Sequence, residues 1–246
     1  MWAYTIISVS IVSLLSLIGA LTLMLKEELL RKLLLFFVAF SAGALLGDTF
    51  IHLLPEAVEE SGISASISVS ILSGLFFFFI MEKILRWRHC HEIDCLEHPK
   101  HLGPINLIGD FFHNFIDGVI IAASYLVSLP LGLATTVAVV LHEVPQELGD
   151  FGVLLHSGYT AKKALLLNLL SAFSAIIGAV ATIIIGGNAG SFTSYAIPFT
   201  AGGFLYIALS DLVPELHKES EWKRSLLQLF FMAAGIGIMY LLLFFD

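Results

Sequence analysis

Charge is what this chain has least of. Asp, Glu, Lys and Arg make up 13% of its 246 residues, about half the share usual in soluble domains. Hydrophobic residues make up 58%, and the mean hydropathy is +0.93, which excludes a water-soluble globule. Basic residues are the scarcer sign, 12 against 20 acidic, and they form no patch that would hold nucleic acid. Cysteine is nearly missing. Cys90 and Cys95 are the only two, five residues apart in a polar loop, so no disulfide framework holds the fold and both bridging and redox compartment stay open. No basic stretch precedes the first apolar run, so that run reads as a membrane span and not as a cleavable signal.

What the chain does have is apolar runs. A spanning helix needs about 20 such residues. Eight candidates fit, at roughly 2–25, 33–56, 64–85, 105–127, 130–155, 164–186, 192–216 and 225–245. The basic residues fall at every second connection. Lys26, Arg31 and Lys32 follow the first candidate, and Lys83, Arg86, Arg88 and Lys100 lie at or beyond the end of the third. Lys162 and Lys163 follow the fifth, and Lys218, Lys223 and Arg224 follow the seventh. The positive-inside rule makes these connections cytoplasmic and puts both termini outside. The expected fold is an all-α polytopic membrane protein: residues 1–246 form one domain of eight transmembrane helices in a lipid bilayer. One connection, at about 86–104, is long. It gathers His89, Cys90, His91, Cys95, His98 and His101 on the cytoplasmic side. Those ligand types suit Zn²⁺, and the same composition suits a solvated connector.

Two candidates carry polar residues where a bilayer penalises them. In the fifth, His142-Glu143-Val144-Pro145-Gln146-Glu147-Leu148-Gly149-Asp150 places five polar side chains within an arc of roughly 140° at helical spacing. Pro145 has no N–H for the carbonyl of Leu141 and leaves that oxygen free one residue before His142. In the fourth, Asn106, Asp110, His113, Asn114 and Asp117 share an arc of about 100°. The second repeats the theme with Asp48, His52 and Glu56 along one stripe, and Pro55 beside them. The seventh adds Asp211, Pro214, Glu215 and His217, whereas the sixth offers Asn168, Ser171 and Ser174 and no ionisable group. Asn106 and the two serines read best as interhelical hydrogen-bonding groups. For the fourth and fifth candidates that reading fails. No Lys or Arg lies in mid-span, so a proton or a metal cation must neutralise their carboxylates. Imidazole, carboxylate and amide together suit Zn²⁺, Fe²⁺, Mn²⁺ or Cd²⁺ better than Na⁺ or Ca²⁺.

At these residues the chain resembles the ZIP family of divalent-metal transporters, and most nearly its LIV-1 branch. The likeness rests on His113-Asn114-Phe115-Ile116-Asp117-Gly118 and on the 142–150 stretch, set against the branch pattern HExPHExGD. Gly47-Asp48 through His52-Leu53-Leu54-Pro55-Glu56, and Asn168-Leu169-Leu170-Ser171-Ala172, add to it. The resemblance implies import of metal toward the cytosol through a site between the fourth and fifth helices. It also implies His113, Asn114, Asp117, His142, Glu143 and Gln146 as ligands, and a homodimer. Two departures stand out. Gln146 replaces a His of the branch pattern, and Asn168 stands where some relatives carry a bridging carboxylate, which together point to one well-formed site.

The expected function is transport of Zn²⁺ or a related divalent metal across the cell membrane. Asp48, His52 and Glu56 would line a pathway, Glu147, Asp150, Asn168 and Asp211 would be accessory, and Glu215, His217 and the loop histidines would receive the ion inside. A metal-binding receptor or a passive channel is a rival reading. An intramembrane metalloprotease is a weaker one, because its HExxH motif needs a second His where Gln146 stands.

Overall fold

The computed structural model describes residues 1–23, 27–87, 102–186 and 192–245, and among these every regular element is a helix. Helix α1 (Trp2–Leu15) runs on as a 3₁₀ segment to Leu23. Helix α2 (Glu27–Gly47) passes through a π-helical turn, Asp48–Leu53, into α3 (Leu54–Ser61). Then come α4 (Ala65–Trp87), α5 (Leu102–Val127) and α6 (Leu129–His156). Helices α7 (Ala161–Ala172) and α8 (Ser174–Gly186) are divided at Phe173, and α9 (Phe192–Tyr206) continues through a second π turn, Ile207–Leu212, into α10 (Val213–Leu216). Helix α11 (Trp222–Leu242) closes the order.

These elements make eight rods that follow the eight apolar runs closely. Among the described residues six stretches are long and apolar enough to cross a membrane: Leu33–Glu59, Ala65–Lys83, Asn106–Val127, Ala161–Gly186, Phe192–Leu216 and Trp222–Leu242. The first rod is shorter, apolar over Trp2–Ile18. Helix α6 has ample length at 28 residues, but its polar row dilutes its hydropathy. The loop histidines and cysteines named above (His89, Cys90, His91, Cys95, His98 and His101) lie outside the described residues.

Proline explains the irregular turns. Pro55 and Pro214 each follow a π turn within two residues. There the N–H of Leu54 reaches back five residues to the carbonyl of Thr49, and that of Val213 to Ala208. Such widened turns absorb the carbonyl clash and missing donor that a proline imposes on a helix.

Three helix pairs set the packing: α2 along α11, α4 along α9, and α5 along α8. Each is closed by a glycine from both partners. A Cβ on Gly43 would overlap the carbonyl of Met232, and one on Gly235 that of Phe40. Gly118 and Gly178 abut the carbonyls of Ala175 and Phe115, and Gly74 and Gly202 those of Phe199 and Ile71. In lipid, where apolar side chains gain little by leaving their surroundings, such backbone-to-backbone contact is what holds helices together. Serines add stitches: Ser13 Oγ donates to Ala172 O at 2.8 Å, Ser174 Oγ to Phe111 O at 2.6 Å and Ser171 Oγ to Leu107 O at 3.1 Å. The two sixth-run serines are therefore interhelical hydrogen-bonding groups, as expected. Helices α4 and α11 form the outer wall and expose Phe76, Phe79, Leu229, Phe230 and Leu241, while α5 and α6 cross at the centre.

Gly235 and Gly237 provide a test on one helix, because a Cβ on Gly237 meets nothing within 4 Å. Gly235→Ala is expected to destabilise the detergent-solubilised protein by about 1–3 kcal/mol, the usual cost of overpacking. Gly237→Ala should change little. Equal thermal-melting shifts for the two variants would contradict the glycine contact.

Candidate metal centre

Helices α5 and α6 bring four side chains to one point. His113 and Asp117 stand one turn apart on α5, and His142 and Glu143 are adjacent on α6. His113 Nε2 lies 3.3 Å from His142 Nε2, 3.3 Å from Glu143 Oε1 and 3.5 Å from Asp117 Oδ2. His142 Nε2 lies 3.6 Å from both Asp117 Oδ2 and Glu143 Oε1. One ligand atom from each of the four falls within 4.8 Å of all the others. A tetrahedral Zn²⁺ bound at about 2.0–2.1 Å spaces its ligands roughly 3.3–3.4 Å apart, a spacing that two of these five separations match and the other three exceed by no more than about 0.3 Å.

The electrostatics point the same way. Asp117 and Glu143 are fully buried, and among the described residues none of their four carboxylate oxygens has a hydrogen-bond partner. Buried carboxylates left in that state are costly. Two carboxylates with two neutral imidazoles carry the charge that one divalent cation cancels. The ring of His142 is already oriented for the task. Its Nδ1 lies 3.2 Å from Ala138 O, a contact that places the proton on Nδ1 and turns the Nε2 lone pair toward the cluster. Phe204 packs against the same ring, with centroids 6.0 Å apart.

The neighbouring polar groups pair among themselves. Asn114 Nδ2 donates to Asp110 Oδ1 at 2.7 Å, and Asn168 Nδ2 donates to Glu147 Oε2. Both are amide–carboxylate pairs buried in the bundle. Asn114 thus turns toward Asp110, and among the described residues its oxygen meets no hydrogen-bond donor. Gln146 instead lines a cavity of about 240 Å³ together with His113, Asp110, Asp150, Glu82 and Asp211. Asn106 also lines this cavity. From His113 its lining extends toward the ends of α4, α5, α6 and α9–α10 that meet the Lys- and Arg-bearing connections. Among the described residues no Lys or Arg lines it.

The remaining expected residues stand elsewhere. Asp48 is fully buried, and His52 Nε2 meets Met239 O at 2.9 Å. Neither they nor Glu56 line the cavity. Glu215 pairs with Lys218 at the exposed end of the seventh rod, and His217 beside it is exposed. Three residues emerge that sequence reasoning missed. Tyr206 donates its hydroxyl to Glu82 at the cavity wall, and Ser41 on α2 donates to Leu141 O at 2.5 Å. Ser41 does carry a signal, since at helical spacing it extends the Asp48–His52–Glu56 stripe by two turns.

Comparison with known proteins gives the chain a family. The ZIP Zinc transporter family model matches residues 1–103 and 89–243. Zinc transporter ZIP13 of Pongo abelii is 36% identical over 220 residues, covering 83% of this chain and 65% of that protein. The Drosophila melanogaster ZIP13 homolog is 34% identical, covering 87% and 78%. Zinc transporter SLC39A7 of Mus musculus is 29% identical, covering 86% and 63%. The chain spans about two thirds of the length of the curated relatives it matches.

Asp117→Asn keeps the shape of a proposed ligand and removes its charge. Zn²⁺ affinity of the solubilised protein, read by titration calorimetry, is expected to fall by more than about 100-fold, beyond the loss usual for an outer-shell partner. Asn168→Ala, outside the cluster, should cost less than about tenfold. The reverse ranking would move the ion to the Glu147 side.

Proposed function

The chain belongs to the ZIP family of zinc transporters, and on that premise we propose that it carries Zn²⁺ through the membrane toward the cytosol. The observation that carries this reading is the set of four ligand atoms between α5 and α6, joined to a cavity that runs toward the basic connections. His113, Asp117, His142 and Glu143 hold the ion. Asn114 and Gln146 are weaker ligands that engage as it arrives or leaves. Asp110, Asp150 and Asp211 draw it toward the cytosol by their negative field, and Glu215, His217 and the 86–104 loop receive it there.

In this reading all eight rods span, both termini lie outside, and the protein works in the cell membrane as a homodimer. Asp48, His52 and Glu56 form the outer approach. Asp48 is wholly buried here while His113 borders an open cavity, which fits a state closed on the outside and open to the cytosol. Fe²⁺, Mn²⁺ and Cd²⁺ are competing substrates, and Gln146, an amide in place of an imidazole, widens selection toward the harder ions. Transport also requires a site weak enough to release its ion. A lack of thiolate in the membrane helices meets that need.

Uptake into sealed proteoliposomes tests the proposal. Zn²⁺ flux is expected to saturate, to vanish in His113→Ala, and to shift in metal preference in Gln146→His. Binding without any flux, under every gradient, would leave a receptor and remove the carrier. Acidification on the side that loads the site should lower flux, because proton and metal compete for the same imidazole nitrogens. A flux that rises steadily as that side is acidified would contradict histidine ligation.

A further inference from the structure

We propose that Ser41 is a positioning residue for the metal site, supplying the hydrogen bond that Pro145 denies to the turn bearing His142 and Glu143. The proposal rests on reading those two residues as ligands. Helix α6 stays α-helical from Leu129 to His156 with Pro145 inside it. A residue with an N–H at position 145 would bond to the carbonyl of Leu141, four residues back. Proline cannot, and in the middle of a membrane bundle no bulk water takes its place.

Ser41 fills that gap from a different helix. It is completely buried on α2, which packs against α6. Its Oγ lies 2.5 Å from Leu141 O and 2.7 Å from Phe37 O. One hydroxyl has one proton to give, and the two carbonyls differ in need. Phe37 O already faces the backbone N–H of residue 41 within its own helix, whereas Leu141 O has lost its helical donor. The proton therefore belongs on the bond to Leu141.

That bond acts on the site through the backbone. The Leu141 carbonyl belongs to the peptide plane that leads into His142, and fixing it fixes where the His142 and Glu143 side chains start. The contact of His142 Nδ1 with Ala138 O then sets the ring. Backbone and ring are held by separate hydrogen bonds, one from outside α6 and one within it. Ser41 touches no ion in this scheme, and it sets the geometry that the ion meets.

Pro145→Ala gives a test that packing effects cannot imitate, because it restores the missing N–H and makes Ser41 redundant. Four proteins are compared: wild type, Ser41→Ala, Pro145→Ala and the double variant. With Pro145 in place, Ser41→Ala is expected to weaken Zn²⁺ binding about tenfold, the size of one lost hydrogen bond. In the Pro145→Ala background the same change should cost less than about twofold. Ser41→Thr, which keeps the hydroxyl, should stay near wild type. The metal-free melting temperature should follow the same pattern, falling with Ser41→Ala only when residue 145 is proline. Equal losses in both backgrounds, or none in either, overturn the proposal. If no variant binds Zn²⁺, wild type included, the metal reading fails, while the melting comparison still decides whether Ser41 replaces the missing bond.

Discussion

Negative charge that cannot reach water governs this molecule. Asp117 and Glu143 sit at the crossing of two central helices, fully buried and, among the described residues, with no hydrogen bond to any of their carboxylate oxygens. No Lys or Arg occurs in the middle of any apolar run, so the protein provides no fixed counter-charge at that depth. Desolvated carboxylates of this kind hold a proton or a cation, or they destabilise the fold. Two imidazole nitrogens on the same point shift the balance toward a metal, since they supply neutral donors at spacings a divalent ion can bridge.

The rest of the architecture keeps those groups in place without closing them off. Glycine pairs bring α2 to α11, α4 to α9 and α5 to α8 until backbone touches backbone, and these contacts build a tight wall from helices whose outer faces are lipid-compatible. Proline works in the opposite sense and frees carbonyls. Next to Pro55 and Pro214 the chain responds by widening a turn. At Pro145 the helix stays regular and a serine from α2 serves the free oxygen. The amide–carboxylate pairs Asn114–Asp110 and Asn168–Glu147 use up donors that would otherwise compete for the central cluster. A single strong site with softer polar surroundings is the result, a suitable arrangement for an ion that must also leave.

Much of this was legible in the sequence because membrane helices follow few rules. Apolar length placed the eight rods, and the second rod, for example, was expected at 33–56 and is found at 27–61. Helical spacing put His113 over Asp117, and His142 next to Glu143 on a polar arc, and those four residues do converge. Spacing could not say which way a side chain turns once several partners are in reach. Asn114 belongs to the same motif as His113, yet its amide bonds to Asp110 one turn earlier. The partner of Ser41 was hidden for a related reason, because Leu141 is 100 residues away in the chain and only the packing of α2 on α6 joins them. The glycine pairs were equally silent, since a lone glycine in an apolar helix does not name the helix it touches.

X-ray absorption at the zinc edge, on purified protein loaded with one equivalent of Zn²⁺, reads whether His113 and His142 share one ion. A first shell of nitrogen and oxygen at about 2.0–2.1 Å is expected, with the multiple-scattering signature of two imidazoles. That signature should drop to one imidazole in either single variant, His113→Ala or His142→Ala. Sulfur at about 2.3 Å, or a spectrum indifferent to both histidines, would place the ion elsewhere and rule out the site between α5 and α6.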